Sequence, residues 1–205
     1  MREVKTLDVS HLPPYEISSQ APLWWGQLFI TFIEGTMFSI LIAAYFYTRL
    51  RMDVWPPPGD QFPHIGLPTV SLVLIILSAV GSYWASEAAK RADRMGVIWG
   101  LLLNLVLAGA ALILRIIEWH SFNFNWKTDG YGSYIWAFLG LHTFDYISDL
   151  VFTLVLLVIA MFGRLGPRQR VGVHVDSVVW YFIVLIWIPI YIVVYWGPWL
   201  VGTQQ

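Results

Sequence analysis

Residues 133–163, "SYIWAFLGLHTFDYISDLVFTLVLLVIAMFG", decide the fold. A hydrocarbon layer of roughly 30 Å needs about 20 apolar residues of helix, and this run exceeds that with only His142, Asp145 and Asp149 ionisable within it. Four more runs of the same kind stand at about 24–49, 68–89, 95–118 and 175–200. The whole chain is 58% hydrophobic and 12% charged, whereas soluble domains carry about 25% charged residues. These features predict an all-α polytopic membrane bundle: one five-helix domain over 24–200, a cytoplasmic segment over 1–23 and a tail over 201–205.

The first 23 residues hold charges and prolines but no apolar run, so a secretory signal is not expected there and insertion is expected to begin with the first span. Orientation follows the positive charges. Arg2, Lys5, Lys90, Arg91, Arg94, Arg164, Arg168 and Arg170 collect on one side, against Arg49, Arg51, Arg115 and Lys127 on the other. The N-terminus is therefore expected inside and the C-terminus outside, with Trp24, Trp25, Trp119, Trp126, Trp196 and Trp199 near the interfaces. The chain has no cysteine, which excludes disulfides and thiolate chemistry. A net charge of -1 gives no attraction to nucleic acid.

Between spans, "WPPPGDQFPHIGLP" (55–68) cannot be helical, because proline lacks the amide hydrogen and restricts its predecessor. "EAAKRADRMG" (87–96) and "GRLGPRQRVG" (163–172) are predicted as inner turns, and such short connections favour antiparallel neighbours. There is no clear internal repeat of the kind that builds many transporters.

Polar residues share faces within the spans. At about 100° per residue, Asp145 and Asp149 fall about 300° and 340° from His142, one narrow stripe. Span one aligns Gln27, Thr31 and Glu34; span two Ser71, Ser78 and Ser82; span three Asn104, Ala108, Ala111, Arg115 and Glu118. An ionisable group at the bilayer centre costs at least about 2.5 kcal/mol, so these faces should point into protein. Span two reads as close-packing surface. Arg115 and Glu118, three apart near the outer interface, read as a local ion pair or snorkelling groups. Glu34 lies about 15 Å into its span with no cation on its own helix, so a protonated resting state is expected. His142 and Asp145, a turn apart, are placed to hydrogen-bond each other. Of the histidines His11, His64, His120, His142 and His174, only His142 lies deep in a span, so a redox centre held by this chain alone is not expected.

The motifs, in order, resemble subunit III of the haem-copper oxidases, the superfamily of cytochrome c and quinol oxidases. "FIEGTMFSILIAAYFY" (32–47) is similar to that family's helix with a buried glutamate, which maps onto Glu34. "WPPPG" (55–59) resembles its tryptophan-proline element, "LSAVGSYWA" (77–85) carries its serine and tryptophan at Ser78 and Trp84, and "RIIEW" (115–119) places its glutamate at Glu118. "DGYGS" (129–133) and "GLHTFDY" (140–146) resemble its Tyr-Gly-Ser and paired-histidine motifs, and "HVDSVVWYF" (174–182) with "YW" (195–196) resembles its last helix. There are departures. Asp145 stands for the second histidine, Leu141 for a phenylalanine, Arg115 for a common glutamine, and Ser177 for an aspartate that is displaced by one to Asp176. Five spans match shorter bacterial members without the first two helices.

The resemblance implies an accessory subunit of an oxidoreductase complex in the bacterial inner membrane. It implies no redox centre in this chain, haem and copper in partner subunits I and II, bound structural phospholipid, and no nucleic acid. Suggested roles are stabilising the catalytic subunit, holding lipid, easing oxygen access and supporting proton uptake. Candidate residues are the carboxylate Glu34; a polar seam of His142, Asp145 and Asp149; the outer pair Arg115 and Glu118; and His174 and Asp176 at the inner start of the last helix. Two other readings stay open: an accessory subunit of a nitric oxide reductase, and a small proton-coupled transporter using Glu34, His142 and Asp145.

Overall fold

A computed structural model describes residues 22–127 and 129–197. Residues 1–21 of the segment 1–23 expected to be cytoplasmic, Trp199 and the tail 201–205 therefore lie outside the described residues. Five helices long and apolar enough to cross a membrane follow in order: α1 Pro22–Arg49, α2 Gly66–Lys90, α3 Arg94–Trp119, α4 Gly130–Met161 and α5 Pro167–Tyr191, the last continued by a π-helical turn Ile192–Trp196. All regular structure among the described residues is helical.

The most intimate contact is the α2–α3 hairpin. A Cβ on Gly100 would stand 2.5 Å from the Ala85 amide nitrogen, and one on Gly81 would stand 2.7 Å from that of Asn104. Only glycine allows the two backbones so close, the small-residue packing that joins helices in lipid. The turn is shorter than expected. Asp93 carries the cap, its Oδ1 accepting from the Met95 amide at 3.1 Å, and Ala92 takes a left-handed φ of 56°.

The fifth span starts earlier than hydropathy indicates. Pro167 stands in its first turn behind Gly166 as cap, where a missing amide hydrogen costs nothing, so "PRQR" is helix and only residues 162–166 form the connection. The same connection is tied by Arg94, at the start of α3. Its Nε donates to the Ala160 carbonyl at 2.7 Å and its Nη2 to that of Met161 at 2.5 Å, adding to the cap that the Gly163 amide already makes on Ala160.

Sequence neighbours are not all space neighbours. α5 lies at the centre against α1, α2 and α4, while α1 packs chiefly on α5 and α4 rather than on α2. The α1–α2 connector is long enough to allow this. It is pinned by Trp55, whose Nε1 donates to Tyr45 Oη at 3.1 Å and whose ring meets Tyr131 edge-on at 5.3 Å. Asn123 of the α3–α4 connector clasps the same segment, donating to the Gly59 carbonyl at 2.8 Å and accepting from the Gln61 amide at 3.2 Å. Both long connectors thus lie at one end of the bundle.

Candidate functional site

α3 presents one inward face of Asn104, Ala108, Ala111, Arg115 and Glu118, all buried. Arg115 and Glu118 do pair, but neither snorkels: each is 3% exposed. Arg115 Nε lies 3.4 Å from Glu118 Oε2, an ion pair rather than a hydrogen bond, since neither atom has a hydrogen-bond partner. Glu118 Oε1 accepts from the hydroxyl of Tyr195 in the π-helical turn. The guanidinium lies over Trp187 of α5, its Cζ 3.8 Å from the ring centroid, a desolvated cation–π contact. Sequence spacing held no signal for Tyr195 or Trp187, which belong to another helix.

Trp187 connects this cluster to His142. The two rings sit 4.6 Å apart at 32°, and His142 Nε2 is 3.1 Å from the Ile183 carbonyl oxygen. A carbonyl only accepts, so Nε2 carries the hydrogen. The His142–Asp145 hydrogen bond expected from spacing is not formed: the imidazole is committed to α5, while Asp145 is half-exposed.

Further along α4, Asp149 is 5% exposed and lies within electrostatic range of Asp176 and Glu34, as Glu34 does of Asp145. Thr153 Oγ1 donates to Asp176 Oδ1 at 2.9 Å, and Asp176 is fully buried. Thr153 was legible in principle, since eleven residues beyond His142 returns to within about 20° of the same stripe. The structure therefore brings Glu34, on α1, to the carboxylates Asp145 and Asp149 of α4, the second of which also interacts with Asp176 of α5. Glu34 itself is half-buried.

Asp176 and Ser177 show why a one-residue displacement matters. Neighbours on a helix point about 100° apart: Asp176 meets α4, whereas Ser177 Oγ reaches the Ser82 carbonyl of α2 at 2.9 Å. His174 Nδ1 pairs with Ser86 Oγ at 2.8 Å, also on α2. Because α5 begins at Pro167, His174 and Asp176 lie inside that helix rather than at its start.

Several motif residues meet in space. Trp180 Nε1 donates to Ser78 Oγ at 3.0 Å, Tyr146 Oη donates to the Ala108 carbonyl at 2.7 Å, and Ser71 Oγ reaches the Ala111 carbonyl at 3.3 Å. In "DGYGS", Asp129 caps α4 by accepting from the Gly132 amide at 2.8 Å. A Cβ on Gly132 would come within 2.4 Å of the Asn125 carbonyl oxygen. Trp84, by contrast, is exposed. Among the described residues, no three His, Cys, Asp or Glu side chains form a group able to hold a metal ion.

α1 is the least covered of the five spans. Beside it runs an apolar groove of about 910 Å³, lined by Phe29, Phe32, Ile40 and Ile186, with Gly35 and Ser39 along it.

This is a polytopic membrane bundle whose inward polar groups bond helix to helix. A family model described as cytochrome c oxidase subunit III matches residues 10–199. Similar proteins named cytochrome c oxidase subunit 3 include that of Podospora anserina, 23% identical over 91% of this chain and 72% of its own length. That of Thermostichus vulcanus is 23% identical over 83% and 85%, and that of Rhizopus stolonifer 25% over 82% and 62%. The chain belongs to the cytochrome c oxidase subunit III family. It spans from 62% to 85% of the length of these relatives.

Proposed function

We propose that this chain is the accessory third subunit of a respiratory haem-copper terminal oxidase in a bacterial inner membrane, with its N-terminus inside. It carries no redox centre, and haem and copper reside in subunits I and II. Its work is to stabilise the catalytic subunit, hold phospholipid and support oxygen access or proton uptake. The observation that carries this reading is α1: a family helix with a half-buried carboxylate at Glu34, left largely uncovered by its own bundle and bordered by an apolar groove. Such a face needs acyl chains or another subunit against it.

Co-purification tests the assembly. Affinity isolation of the tagged chain from membranes in mild detergent should bring down haem-containing polypeptides with an oxidase spectrum. Isolation free of haem would overturn the reading and favour the small transporter, while a complex that turns over nitric oxide but not oxygen would place the chain with a nitric oxide reductase. Within the oxidase, Glu34→Ala should leave haem content unchanged and hasten the loss of activity, or slow proton uptake, during turnover. Loss of haem or failed assembly would instead make Glu34 a folding residue.

A further inference from the structure

Behind the Arg115–Glu118 pair lies a small cavity walled by Ser71 of α2, Ala111 and Arg115 of α3, and His142, Thr143 and Tyr146 of α4. Its volume, measured as room for the centre of a water molecule, is about 10 Å³. That is near the smallest space that holds one water, on the order of 10–15 Å³ by this measure. All six of these residues are buried.

The hydrogen inventory of the wall selects the occupant. Ser71 spends its hydroxyl hydrogen on the Ala111 carbonyl, Tyr146 on that of Ala108, and His142 its Nε2–H on that of Ile183. Each then faces its surroundings as an acceptor: two hydroxyl oxygens with lone pairs, and an imidazole whose Nδ1 is bare. Arg115 is the opposite. Its Nη1 is buried without a protein partner, and an orphaned charged donor is costly in a dry interior. A cationic donor, the Thr143 hydroxyl and several acceptors around a space of one molecule suit water, which can both accept and donate. An anion would meet the lone pairs of Ser71, Tyr146 and His142 close to the carboxyl of Glu118. Ile75 and Leu112 close the rest of the wall, but the polar groups of Arg115, Ser71, His142 and Tyr146 set it apart from the wholly apolar cavities that stay dry.

We infer that this cavity is a built site for one ordered water, which accepts from Arg115 Nη1 and donates to the hydroxyl and imidazole acceptors of α2 and α4. The water completes the solvation of a guanidinium already held by Trp187 and Glu118, and joins α2, α3 and α4 at one point.

The test is a structure of the intact complex at about 2 Å, with the density at this cavity examined. A single peak at about 2.7–3.2 Å from Arg115 Nη1 is expected. Ser71→Val, which fills the space and removes an acceptor, should abolish the peak and lower the thermal midpoint of the complex by several degrees. Ser71→Ala should keep the peak with a smaller drop. A wild-type cavity without density overturns the inference, as does an anomalous signal there after exchange into bromide, which would reveal an anion. So does a Ser71→Val complex that loses the peak yet keeps the wild-type midpoint.

Discussion

Glu118 is held by a cation on one oxygen and a phenol on the other, with no water-exposed surface to relax into. Removing one member of such a set leaves the other charge buried and alone, which costs about 3–5 kcal/mol. Glu118→Ala should therefore lower the stability of the chain by that order, read from thermal or denaturant unfolding in detergent, whereas Tyr195→Phe should cost less because Arg115 remains. Thr153→Val is a quieter case: Asp176 Oδ1 loses its donor, and a buried acceptor left unsatisfied costs about 1–3 kcal/mol. Much of this scale was readable in advance. The stripes on α3 and α4 placed Arg115, Glu118, His142 and Asp149 inward, since one helix fixes the relative angles of its own side chains. What no single-helix pattern contains is the partner: Tyr195, Trp187 and the Ile183 carbonyl come from a helix whose rotation is set only by packing.

At the scale of elements, the α2–α3 hairpin depends on the missing side chain of Gly100, whose added Cβ would strike the backbone of Ala85. Gly100→Ala should cost about 1–3 kcal/mol through overpacking, despite alanine's better helix propensity. Gly109 on the same helix has open space around its Cβ position, so Gly109→Ala should be neutral or gain up to about 1 kcal/mol. The two long connectors hold a different kind of constraint. Burial, and then the neighbouring carboxyl of Asp129, push Asp60 up from its usual 3.8 to about 6. The folded connectors thus bind a proton more tightly than the open chain does, so their docking is firmest below about pH 4 and weakens as pH rises through about 6. Hydrogen-exchange protection over residues 50–65, taken relative to the intrinsic exchange rate at each pH, should fall between pH 5 and pH 7.5, and Asp60→Asn should remove that fall. Hydropathy located these elements but misjudged where α5 begins, because "PRQR" is polar yet helical; proline at a helix start obeys backbone rules to which a hydropathy window is blind.

For the whole molecule, the five spans and the family were legible from composition and from seven short motifs, because a bilayer imposes length and polarity on every segment. The arrangement was not. A bundle of sequential antiparallel neighbours was the expectation, whereas α5 takes the centre and α1 stands at the edge. Glu34 therefore faces the α4 carboxylates Asp145 and Asp149 rather than residues of its sequence neighbour α2. If α1 is covered by acyl chains or by subunit I in the complex, delipidation should shorten the functional lifetime of the wild-type oxidase towards that of the Glu34→Ala variant. An unchanged lifetime would argue that neither lipid nor Glu34 supports turnover.

The edge position of α1 also carries a consequence for biogenesis. The end of α1 at Arg49 is fastened by that residue, whose Nη1 donates to the Gly197 carbonyl at 3.1 Å, and its flank by α5, the last of the five described spans to leave the ribosome. α2 and α3 can close on each other as soon as both are inserted, because their contact is local. α1 is made before the other four described spans and meets its main partner, α5, after the rest of them, so while they are being made its polar residues must be sheltered by something other than their final neighbours. Ribosome-bound chains halted before residue 167 should show α1 crosslinking to the insertion machinery or to lipid, and α2 to α3.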